Sequence, residues 1–133
     1  MGDRTYQPEE AHLIAKALEA QGRADGAEEW LVIARELGDP ADPERLVLEA
    51  KIMARRGLLD EAERLARSAL ERGGESPVHF FADPRFTLAE ILARAGRTDE
   101  ARTEANACLR SYQAKGIVPL TEKALALLAE IPA

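Results

Sequence analysis

The chain has 133 residues, of which 46% are apolar and 5% aromatic, and its formal net charge at pH 7 is −6. This length and apolar content suit one domain with a continuous core. An acidic chain does not favour general binding to nucleic acid or an anionic membrane, because contact with phosphates needs clustered Lys and Arg. No long apolar run and no secretory segment are seen, so we expect a cytoplasmic protein that does not span a membrane.

Helix-start and helix-stop residues divide the chain into seven predicted helices. Proline at the first helical position and Asp as the N-cap favour a start, and glycine favours an end in the left-handed conformation. Pro8 opens the first helix, Asp42 and Asp83 precede the third and fifth, and Asp60 and Asp99 are predicted to cap the fourth and sixth. The predicted helices are 8–21, 25–37, 43–56, 60–73, 84–95, 99–114 and 118–131.

A short phrase, Gly-x-x-Asp-x-Ala, occurs three times, at residues 22–27, 57–62 and 96–101, with its glycines 35 and 39 residues apart. Small residues recur at fixed offsets from these glycines, where they allow two helices to approach closely. Each unit is therefore predicted to be two helices joined by a tight turn. The recurring small residues are Ala15, Ala50 and Ala89 before the turn, and Ala27, Ala62, Ala101, Ala34, Ala69 and Cys108 after it.

This period and pattern resemble the tetratricopeptide repeat. The resemblance covers nearly the whole chain, although the early Trp and the Tyr of the family's first helix are missing. It implies a single all-α domain of antiparallel hairpins stacked as a right-handed superhelix. The units are about 8–38, 43–74 and 83–115, and an insert at 75–82 separates the second and third. A closing helix follows at 118–131, with Glu122, Lys123 and Glu130 on a polar outer face.

In the tetratricopeptide family the first helix of each hairpin lines a concave groove. The resemblance therefore implies a groove of mixed charge, with a basic line suited to an acidic or extended peptide. Solvated helix positions have the same composition, and the pattern does not separate the two interpretations. Lys16 replaces the Asn of carboxylate-binding members, so that specialised role is not expected. The basic line is Lys16, Lys51, Arg55 and Arg94, and the other groove residues are Glu9, His12, Glu19, Glu44, Val47, Phe86 and Glu90.

Four apolar residues are candidates for an interface with a partner or a second copy. Trp30 and Ile33 lie on the second helix of the first unit, which no preceding unit covers, and Phe80 and Phe81 lie in the insert. Each pair has a structural alternative. In the structural alternative for the first pair, Trp30 packs within its own hairpin. In the alternative for the second pair, the phenylalanines fill the gap between the second and third units.

No catalytic or metal-binding motif is recognised in the sequence. His12 and His79 are far apart and have no cysteine nearby, so no zinc site is predicted. Cys108 stands where the other units have Ala, which predicts a small buried core residue rather than a nucleophile. We therefore expect no enzymatic activity, no metal and no cofactor.

Several stretches are similar to the C-terminal repeats of large bacterial signalling ATPases of the cyclase-like and transcriptional-activator types. These stretches are 54–57, 60–66, 88–92, 96–101 and 112–116. The first expected function is a scaffold that binds a protein or peptide partner through the groove or the exposed end. The alternatives are a regulatory segment of a larger signalling ATPase or nucleotide cyclase, and a module for homo-oligomerisation.

Overall fold

The structure is a computed structural model that describes residues 8–37, 42–73 and 83–132. Within these ranges all regular structure is helical, which confirms the predicted all-α class and the seven helices. The insert at 75–82, with Phe80 and Phe81, lies outside the described residues. None of the described helices combines the length and the apolar character needed to cross a membrane. The helices are α1 (Pro8–Ala20), α2 (Ala24–Leu37), α3 (Pro43–Arg55), α4 (Leu59–Gly73), α5 (Pro84–Arg94), α6 (Thr98–Lys115) and α7 (Val118–Glu130).

The glycine of the repeated phrase ends the first helix of each hairpin. Gly22, Gly57 and Gly96 have φ angles of +77°, +80° and +77°, which glycine adopts without steric cost. At Gly57, the glycine N–H donates to the carbonyl of Ala54, and the next N–H, of Leu58, donates back to the end of α3. The carbonyl of Leu58 already accepts the first bond of α4. Leu58 thus bonds to the last turn of α3 through its N–H and to the first turn of α4 through its carbonyl, so the chain reverses within a very short turn.

The structure corrects the predicted caps of α4 and α6. These helices begin at Leu59 and Thr98, so Asp60 and Asp99 lie inside the first turn rather than at the N-cap. The reason is the short turn, because the residue directly after the glycine already takes the N-cap position. Carboxylates in a first turn still stabilise the helix through the positive end of its dipole.

Asp42 and Asp83 are N-caps, as predicted. Asp42 accepts a hydrogen bond of 3.2 Å from the N–H of Glu44, and Asp83 accepts one of 2.9 Å from the N–H of Arg85. The second carboxylate oxygen of Asp83 also accepts a hydrogen bond from the buried hydroxyl of Tyr112 on α6. Asp83 therefore ties the start of α5 to its partner helix as well as capping it.

The recurring small residues are buried where the helices meet. Their exposure is 0%, or 1% for Cys108, and Ala124 of α7 occupies the same kind of position. This confirms Cys108 as a core residue. Burial, together with the nearby Asp83 carboxylate, raises the pKa of its thiol to about 12, which keeps the thiol protonated at neutral pH.

The first helices of the units lie side by side, but α7 departs from this order. α1 packs beside α3 and α3 beside α5, whereas the backbone of α7 packs mainly on α6 and approaches α5 less closely, meeting it through side chains such as Leu127. Thr87 and Ile91 of α5 are buried, yet the residues that correspond to them in α7, Glu122 and Ala126, are exposed. α7 is therefore splayed away from α5, and this leaves an opening between them.

Both ends of the helix stack carry exposed apolar side chains. Leu13 on α1 is 61% exposed, whereas its counterpart on α3, Leu48, is 4% exposed in a core cluster that it shares with α1 and α2. On α7, Val118 and Leu125 are exposed. The outer face of the closing helix is therefore more apolar than predicted, because α7 turns only one side toward α5 and α6.

Replacement of Gly57 by Ala should lower the free energy of unfolding by about 1 kcal/mol, because an L side chain is strained in the left-handed conformation. A Cβ at this position meets no atom within 4 Å, so a steric clash does not add to the strain. Urea unfolding measures the difference. Gly57→Asn is the matched control and should cost less, since Asn tolerates this conformation. Equal stability of Gly57→Ala and wild type would contradict the left-handed conformation of residue 57.

Replacement of Asp83 by Ala should destabilise the protein more than replacement of Asp42 by Ala. Loss of either N-cap costs about 1 kcal/mol, but Asp83→Ala also leaves the Tyr112 hydroxyl without its partner, at about 1–3 kcal/mol. Thermal unfolding compares the two variants. Adding Tyr112→Phe to Asp83→Ala should recover part of the loss. The coupling is absent if the two substitutions at 83 and 112 are additive.

Candidate functional site

An open groove of about 520 Å³ lies between α3, α5 and α7, at the opening that the splayed α7 leaves. Its volume falls within the range of ordinary ligand sites in proteins. Part of the lining is apolar and comes from Ala54, Ile91 and Leu127. The charged side chains that line it are Glu19, Lys51, Arg55, Glu90, Arg94, Lys123 and Glu130.

The predicted groove residues do not all line one space. Lys51, Arg55, Glu90 and Arg94 line the open groove. His12, Lys16, Glu44 and Val47 lie instead around a much smaller cavity between α1 and α3, because these two helices pack closely there. Glu19 lines both spaces, and Phe86 lines a third, small cavity that also includes Lys51, Glu90 and Lys123. The structure therefore brings the second and third units of the predicted site together and leaves the first unit largely out of it.

The residues around the small cavity are mostly buried or paired, and His12 Nδ1 is buried with no hydrogen-bond partner among the described residues. Val47 is 1% exposed and belongs to the core, which rules it out as a groove contact. Lys16 Nζ lies 3.9 Å from Glu44 Oε1. Burial lowers the pKa of His12, although the Glu44 and Asp42 carboxylates act in the opposite direction. The side chain of Glu9 lies outside the described part of the structure.

Two arginines of the predicted basic line connect neighbouring helices. Arg55 on α3 donates from Nε to Glu19 Oε1 on α1 at 2.7 Å. Arg94 on α5 donates from Nη1 to the carbonyl of Ala54 on α3 at 2.9 Å. These bonds fix α1, α3 and α5 relative to one another. In the basic line, the charge of Arg55 is therefore neutralised by Glu19, and Arg94 has a structural role between α5 and α3.

Lys51 and Glu90 differ from these arginines. Among the residues that the structure describes, neither makes a hydrogen bond or salt bridge, although both line the groove. Solvent reaches Glu90, but the groove walls remove enough of its hydration to raise the pKa of its carboxyl. Lys51, Lys123 and Arg94 act against this rise, and Glu19 adds to it.

Lys123 of α7 is a groove residue that the sequence did not predict. It lines the opening beside Lys51 and Glu90, and its Nζ lies 5.6 Å from the centre of the Phe86 ring. The sequence placed Lys123 on the outer face of a closing helix. Nothing in the sequence indicates that Lys123 faces the groove, because the angle between α7 and α5 depends on how α7 packs on α6.

The predicted interface residues on α2 are only partly accessible. Trp30 is half-buried and packs against the core cluster formed by α1, α2 and α3, which agrees with packing inside its own hairpin. Ile33 is also half-buried. Across residues 8–37, 42–73 and 83–132, no group of three His, Cys, Asp or Glu side chains is placed to hold a metal ion.

Comparisons with known proteins leave the family open. The chain matches no model of a protein family, and no curated protein matches it significantly. Function is therefore inferred from the chemistry of the groove itself.

Proposed function

We propose that this chain is a non-enzymatic interaction module that binds an extended segment of a partner protein in the groove between α3, α5 and α7. The proposal is based on which charged side chains of the groove already have a hydrogen-bond or salt-bridge partner. Lys51 and Glu90 have no partner in the described ranges, while Arg55 and Arg94 are engaged in the scaffold. Charged groups partly removed from water gain from a partner that replaces the lost hydration.

The rigidity of the groove supports the same function. The Arg55–Glu19 pair joins α3 to α1, and the bond from Arg94 to the Ala54 carbonyl joins α5 to α3. A surface that is held in place before binding loses less entropy when a ligand binds. The open shape and mixed lining fit an extended peptide, which offers side chains to both charged and apolar positions.

A tetratricopeptide-like superhelix is the arrangement that we assign to the hairpins. Its support is the equal burial of the recurring small residues, together with the contacts between α1 and α3 and between α3 and α5. In such an arrangement the first helices line one continuous surface, which is the side on which the groove lies.

Selection from a random peptide library tests the proposed function. Peptides of about 12 residues are suitable, because an extended chain rises about 3.3 Å per residue and such a peptide is about 40 Å long. Enriched peptides should bind the wild type about tenfold more tightly than they bind the Lys51→Glu, Lys123→Glu variant, as measured by fluorescence anisotropy.

An Arg110→Glu, Lys115→Glu variant is the matched control for this selection. It changes the net charge equally, and both residues are exposed on α6 away from the groove. It should bind like the wild type. Failure to enrich any peptide, or equal affinity of both double variants, would count against binding in the groove.

Self-association through α1 is a second candidate, which the exposure of Leu13 favours. The corresponding Leu48 is buried in a cluster with residues of α1 and α2, so the face of α1 around Leu13 has the form of a helix-binding surface. Light scattering at high concentration should then show a dimer that Leu13→Glu converts to a monomer. Leu58→Glu is the control, since Leu58 is also exposed but lies in a turn. A monomeric wild type would remove this candidate.

A further inference from the structure

The groove is lined by a cation and an anion that have no hydrogen-bond or salt-bridge partner among the described residues. Lys51 on α3 and Glu90 on α5 line the same opening, and the Lys51 ammonium favours the charged form of the Glu90 carboxylate. Neither makes a salt bridge in the described ranges. Lys123 of α7 lines the opening as well, with its ammonium over the ring of Phe86.

A ligand of a single charge sign does not suit this arrangement. An anion between Lys51 and Lys123 would lie near the Glu90 carboxylate and be repelled by it. A cation against Glu90 would be repelled by both lysines and by Arg94, all of which act on that carboxylate. A ligand that carries both signs in fixed order satisfies all of these groups at once.

The other charges near Glu90 do not change this conclusion. Glu19 on α1 is held by Arg55, and Arg94 is bonded to the Ala54 carbonyl. These groups contribute to the local potential but already have hydrogen-bond partners. Among the described lining residues, the groups left to select a ligand are therefore Lys51, Lys123 and Glu90, together with Glu130 at the end of α7.

We propose that the groove recognises a dipolar peptide segment, with an acidic side chain directed to Lys51 and Lys123 and a basic side chain directed to Glu90. This inference rests on the proposed function and specifies the class of its partner. In an extended peptide, side chains two residues apart lie on the same face, about 6.8 Å from each other. An acidic and a basic residue separated by one small residue therefore form the shortest matching pattern.

The test uses four labelled peptides that share one Gly- and Ser-rich frame. Their central residues are Asp-Ala-Lys, Lys-Ala-Asp, Asp-Ala-Asp and Lys-Ala-Lys. Fluorescence anisotropy at low ionic strength, where charge interactions are least screened, gives the affinity of each peptide. The wild type should bind the better of the two mixed peptides about tenfold more tightly than either peptide of a single sign.

Two charge-reversal variants make the test independent of small losses in stability. Lys51→Glu makes the site more acidic, so it should come to prefer Lys-Ala-Lys. Glu90→Lys makes the site basic, so it should come to prefer Asp-Ala-Asp. Each variant thus gains affinity for one peptide, which partial unfolding cannot produce. The Arg110→Glu variant is the control and should keep the preference of the wild type.

The outcomes separate this inference from the proposed function. If the wild type prefers a peptide of a single sign, or if the variants leave the order of preference unchanged, the dipolar ligand is wrong. Lys51 and Glu90 would then pair with each other in solution. Peptides from the random library that still depend on Lys51 and Lys123 would keep the proposed function intact. If no peptide of either set binds, the proposed function fails together with this inference.

Discussion

The close packing of helices on alanine is the constraint on which the rest of the structure depends. Ala15, Ala50 and Ala89 are completely buried in the first helices of their units. A methyl side chain lets helix axes approach toward the short end of the usual 8–10 Å range. Such packing requires each turn to reverse the chain within a very few residues, which the left-handed glycines allow. Because an alanine buries little area, larger residues such as Leu88 and Ile52 supply most of the hydrophobic stabilisation.

The groove lies where this regular packing changes. α1, α3 and α5 follow one another in contact, and a small cavity lies between α1 and α3. α7 keeps the small buried residue of the repeat, Ala124, but packs mainly on α6. The space between α5 and α7 is therefore wider, and Lys123 lines it from the side of α7. The regular packing that builds the scaffold thus leaves an open groove where it changes, between α5 and α7.

The sequence was sufficient for the helices but not for the site. Glycine, proline and the recurring alanines act through local backbone geometry and close contact, so they predicted seven helices and the burial of Cys108. The predicted N-caps Asp60 and Asp99 were wrong, because the residue directly after the glycine bonds to the helix before the turn and also takes the N-cap position of the helix after it. Val47 was wrongly placed in the groove, since helical spacing gives a face but not how closely a neighbouring helix covers it.

The pairing of groove charges could not be predicted for a further reason. Arg55 and Glu19 are 36 residues apart, and the bond from Arg94 to the Ala54 carbonyl spans 40 residues. Both depend on the angles between helices, which no local pattern encodes.

The roles of arginine and lysine in the groove follow from their chemistry. Arg55 and Arg94 join neighbouring helices, which suits a planar guanidinium whose donors have fixed directions. Lys51 and Lys123 line the opening, and a lysine ammonium on a flexible stem can adjust to a ligand. A rigid frame with adjustable charges selects a ligand by the order of its charges more than by its exact shape. In the proposed role, discrimination therefore depends on repulsion of the wrong charge as much as on attraction of the right one, because Glu90 lies among the cations that would otherwise accept any anion.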